Sequence, residues 1–75
     1  MITVVVGDVY ECTDYIATVC SDIDWELLTI APGDLVIPVV ESNTRYFCVI
    51  QSQRHGTFLG YIGPDTARIY LKHYC

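Results

Sequence analysis

An all-β fold, a small barrel of five or six short strands, is what this sequence predicts, and three observations predict it. Short β-branched and aromatic runs recur along the chain, clusters of Gly, Pro, Asn, Asp and Ser separate them, and no long stretch keeps a 3.6-residue apolar period. At 75 residues the chain makes one domain, with its core expected over about residues 9–72. A chain of this size buries only roughly 60–65% of the surface its unfolded form exposes. Yet 52% of its residues are hydrophobic, including six Tyr, two Phe and one Trp. The surplus must reach the surface, where a contiguous apolar patch marks an interface.

Residues 2–6 form a β-branched run closed by Gly7 and Asp8, and are expected to be an exposed strand at the chain end. Residues 9–19 are mixed, and residues 20–24 are a polar turn. Residues 25–30 return as an extended arm, and Pro32, Gly33 and Asp34 then make a tight turn: Pro presets φ, Gly permits positive φ, and Asp bonds nearby backbone. Residues 35–40 read as a strand in which Pro38 removes one backbone donor, which suggests an edge or a bulge. Residues 42–44 are a turn, residues 46–52 the clearest strand, residues 53–57 a hairpin connection and residues 58–62 its return. Residues 63–66 resemble a short turn or a single 3₁₀ turn. Residues 68–72 alternate charge and bulk as a closing strand, with Ile69 and Leu71 expected to face inward.

Laid end to end, these pieces resemble an SH3 domain. Glu11, Cys12, Thr13, Asp14 and Tyr15 stand where that family has its ALYDY motif. The segment Leu28, Thr29, Ile30, Ala31, Pro32, Gly33, Asp34 is similar to the segment that closes the long RT loop, Tyr46 and Phe47 resemble the family's Trp pair, and Gly60, Tyr61, Ile62, Gly63 and Pro64 resemble its last motif. The resemblance implies an SH3-like barrel with a long RT-type loop. In the family, polyproline ligands lie on an aromatic shelf; here only Tyr15 is retained in kind, Thr13, Tyr46 and Ala67 or Arg68 standing at the other places. A PxxP ligand is therefore not expected.

The net charge of −5 argues against a general affinity for nucleic acid or anionic membrane. Its distribution is uneven: residues 1–41 carry −8 with no Lys or Arg, and residues 42–75 carry +3. Such blocks interleave when strands pair, or else give an electrically polar surface suited to a charged protein partner. Trp25, between Asp24 and Glu26 on the long hairpin, either folds back to cover one open end of the barrel or serves as an interface anchor, since Trp is enriched among dominant contacts and the acids would select a basic partner. The expected partner-binding residues are Tyr15, Asp22, Asp24, Trp25, Glu26 and Tyr46.

Catalysis is not expected. His55 and His73 stand in no local motif with a nucleophile, and the glycines are spaced for turns rather than for a phosphate cradle. Cys12, Cys20, Cys48 and Cys75 lack the close pairing of structural zinc ligands, so neither metal nor other cofactor is expected. With no signal segment and no run of 18 apolar residues, the chain reads as cytoplasmic, its thiols unpaired. The function expected is a non-catalytic protein-interaction module of adaptor type. The alternative is a stand-alone acidic inhibitor, of the kind phages or viruses encode, that blocks a host protein or its nucleic-acid-binding groove. Ile2, Val4 and Val6 on the terminal strand are the expected self-association residues, in a homodimer or else a tight heteromeric complex.

Overall fold

The computed structural model describes residues 4–20 and 26–74. Among these described residues, seven strands and one short helix follow in chain order: β1 (Tyr10–Cys12), β2 (Ile16–Cys20), β3 (Leu27–Ile30), β4 (Leu35–Glu41), β5 (Tyr46–Ser52), β6 (Gly56–Ile62), α1 (Pro64–Tyr70) and β7 (Leu71–His73). All seven strands join one antiparallel sheet in the order β3-β2-β6-β5-β4-β1-β7, which curls into a half-barrel. The all-β expectation holds. The count of five or six strands does not, because residues 9–19 divide into two strands around an irregular segment at residues 13–15.

Alternation along the strands sets the interior. In β5 every second residue, Tyr46, Cys48, Ile50 and Ser52, is buried, and β2 and β6 follow the same period. These inward residues join Tyr10, Cys12, Ile30, Val36 and Leu71 in one core. Gly60 sits where β5, β6 and β2 crowd together, opposite Cys48 on one side and Cys20 on the other. A Cβ there would lie 3.1 Å from Ile50 Cδ1 and 3.2 Å from both Phe58 Cε2 and the Val19 carbonyl oxygen.

The turn between β3 and β4 is held by its own residues. Asp34 N–H donates to the Ala31 carbonyl at 3.1 Å, and Gly33 takes φ +95, as the third position of a type II turn requires. The buried Asp34 carboxylate accepts from Ala31 N–H at 3.0 Å and from Gln53 N–H at 3.2 Å. It thereby ties this turn to the β5–β6 connection. Pro38 lies in a central strand, not at an edge, and a register shift between Pro38 and Val40 accommodates it.

Three local expectations are corrected. The described part of the 2–6 segment is not a strand: Val5 N–H donates to the Tyr10 hydroxyl at 2.7 Å, Gly7 N–H to the Pro38 carbonyl at 2.8 Å, and Val4 is buried against its own chain. In place of at most a 3₁₀ turn, residues 64–70 are a helix, with Pro64 at its start and Asp65 and Arg68 paired one turn apart. The helical period of Ala67 and Leu71 carries the buried side, so Ile69 turns outward and is 62% exposed. The closing strand consequently begins only at Leu71 and pairs with β1.

Candidate docking surface

Strand alternation that fills the interior also fixes what faces out. Opposite one another across five adjacent strands stand Val40 on β4, Phe47 on β5, Tyr61 on β6, Val19 on β2 and Leu27 on β3. A second row, Ile37, Val49 and Leu59, lies beside it on β4, β5 and β6. The row's middle members are half-buried, whereas its ends stand open, Leu27 at 67% and Val40 at 56% exposure. Toward the β5–β6 turn the same face becomes polar through Lys72, Glu11, Gln51 and Thr57, broken only by Leu35.

Aromatic contacts hold the middle of the row in place. The Phe47 and Tyr61 rings lie 5.0 Å apart at 46°, and the Arg45 guanidinium sits 4.1 Å over the Tyr61 ring. Such a contact at an exposed site is worth about 0.5–1 kcal/mol. Arg45 is positioned by the preceding turn, where its carbonyl accepts from Ser42 N–H at 3.0 Å. Val40, Ser42, Arg45, Phe47 and Tyr61 together line a groove of about 310 Å³.

The residues expected to bind a partner are dispersed. Tyr15 is 69% exposed, on the segment between β1 and β2. Glu26 is exposed immediately before Leu27, at the open end of the row. Tyr46 is buried at 6% exposure and points into the core, so its ring offers no surface shelf; burial, with Glu41 adding to it, raises its phenol pKa. Asp22, Asp24 and Trp25 lie outside the described residues, as does Ile2. Of the expected self-association residues, Val4 is buried and Val6 exposed. The signal for the row was in the sequence: residues 19, 47, 49, 59 and 61 are apolar at positions a one-sided sheet would make polar.

Opposite charges from the two halves of the sequence meet where β1 and β7 pair, Lys72 Nζ lying 3.9 Å from Glu11, and beside them His73 Nε2 lies 3.1 Å from Asp8. The blocks thus interleave at this end of the sheet. The thiols of Cys12, Cys20 and Cys48 are free and buried, and burial pushes Cys48 up to about 12. Among the described residues no group of three or more His, Cys, Asp or Glu is disposed to hold a metal ion, and no helix is long and apolar enough to cross a membrane. No family model, curated protein or solved structure matches the chain.

Proposed function

We propose that the chain is a non-catalytic protein-interaction module on an SH3-like barrel, and that its outer apolar row is the docking surface. The SH3-like reading is supported by the order of elements: a first strand, a long two-armed hairpin, three meandering strands, a short helical turn and a last strand that returns to the first. The docking reading is carried by one observation, the in-register row from Val40 to Leu27. Five strands each contribute an outward apolar side chain to a single line, and the ends of that line are open.

The occupant is a protein with an apolar ridge flanked by basic residues. Exposed Glu26 and Glu41 adjoin the two ends of the row, and residues 1–41, which supply β1 to β4, contain no Lys or Arg. Complementary charge would steer and orient such a partner, while the row supplies the buried contact area.

Affinity capture with the wild-type chain and with a Leu27→Lys/Val40→Lys double variant tests this. A captured protein should bind the variant at least about tenfold more weakly, with the circular dichroism of the variant unchanged. Capture that survives the double variant and is lost instead on Tyr15→Ala would overturn the assignment.

A further inference from the structure

Among the described residues the sheet ends in two strands with no further neighbour, β3 and β7, and they differ. At one end β7 is three residues long and emerges directly from α1. At the other end is β3, whose pairing with β2 fixes where its backbone groups point. Cys20 N–H donates to the Glu26 carbonyl at 2.7 Å, which makes residues 20 and 26 a hydrogen-bonded pair. Alternation in an antiparallel ladder then makes Thr18 with Leu28, and Ile16 with Ile30, the next such pairs. Leu27 and Thr29 therefore turn their N–H and C=O groups away from β2.

An independent contact agrees with this phase. His55 Nε2 lies 3.1 Å from the Thr29 carbonyl oxygen, reaching it from the β5–β6 turn on the side away from β2. Among the described residues, the Leu27 N–H, the Leu27 C=O and the Thr29 N–H remain as an open donor and acceptor set. β3, with the sequence LLTI, carries none of the Lys, Pro or inward charge that ordinarily blunts a sheet edge.

We infer that the β3 edge receives an extended, basic segment of the protein partner as an added strand. This rests on the docking role proposed for the outer row, which it extends: the strand bonds to Leu27 and Thr29, and its outward apolar residue lies beside Leu27 and continues the line. A basic segment is favoured over a second copy of this chain. A second copy carries the same charge of −5, and β2 and β3 offer no cation to meet the exposed Glu26 beside the edge. His55 sets the far limit of the added strand, since its imidazole occupies the Thr29 carbonyl.

The probe is a capped synthetic hexapeptide of alternating valine and lysine, added to ¹⁵N-labelled full chain. The Leu27 and Thr29 amides should shift and exchange with solvent at least about tenfold more slowly. Methylating the peptide's amide nitrogens on the set of alternate residues that faces β3 should abolish binding, and methylating the other set should not. His55→Ala, which frees a fourth backbone group, should bind at least as tightly as wild type. Three results would overturn the inference: no perturbation at millimolar peptide, shifts at Val40, Phe47 and Tyr61 without any at Leu27 and Thr29, or concentration-dependent protection of those two amides in the free chain, which would mean a second copy. The second result leaves the docking role of the outer row standing while removing the edge. The capture experiment with the Leu27→Lys/Val40→Lys variant decides that role separately.

Discussion

The inward and outward faces of this sheet are built from the same kinds of residue and behave oppositely. Inward, Tyr10, Ile30, Val36, Ile50 and Ile62 are closed over, and among the described residues no buried side-chain nitrogen or oxygen lacks a partner. Outward, Val40, Phe47, Tyr61, Val19 and Leu27 form an equally apolar line whose two ends, Leu27 and Val40, stand exposed. Strands that are apolar on both sides belong to sheets covered on both sides. One cover is the core itself, and under the docking proposal a partner supplies the other.

Disturbing the inward side should cost the most. Asp34→Ala removes the acceptor of two backbone N–H groups and unties the β3–β4 turn from the β5–β6 connection; urea unfolding should show a loss of about 2–4 kcal/mol. Next comes packing: Gly60→Ala forces a Cβ against Ile50, Phe58 and the Val19 backbone and should cost about 1–3 kcal/mol. Gly63→Ala, where nothing lies within 4 Å of the added carbon, should fall within about 0.5 kcal/mol of wild type.

A pH profile sharpens the contrast further. The Cys48 pKa is raised by burial from 9.0 to about 12, so the folded state keeps a proton that the unfolded chain releases. Its contribution is fully present below pH 9 and is lost as pH rises toward 12, with a slope of at most about 1.4 kcal/mol per pH unit. Cys48→Ala should reduce that decline, leaving the part that comes from Cys12 and Tyr46, whose pKa values burial also raises. The smallest effect belongs to the outward face. Leu27→Lys and Val40→Lys should each change stability by less than about 0.5 kcal/mol, because both side chains already stand in solvent.

Much of the fold could be read from the chain because local signals and tertiary demands agree there. The strand at residues 46–52 and the Pro-Gly-Asp turn lie where alternation and turn chemistry put them. Pro38 does mark a bulge, although in a central strand. The misreadings fall where two periods compete. Residues 68–72 alternate like a strand, but Pro64 with the Asp65 and Arg68 pair starts a helix first. Residues 2–6 are β-branched enough for a strand, yet the described part is drawn onto Tyr10 and Pro38. The apolar surplus was evident in the composition. Its arrangement was not, because only cross-strand register brings residues 27, 19, 61, 47 and 40 into line.

The most direct test of that line is side-chain chemical-shift mapping of the labelled chain with its captured partner. The largest shifts should fall on Val19, Leu27, Val40, Phe47 and Tyr61, with Tyr10, Ile30 and Ile50 nearly unmoved. Shifts centred on Tyr15 and α1, with the row unperturbed, would contradict the assignment of the outward face.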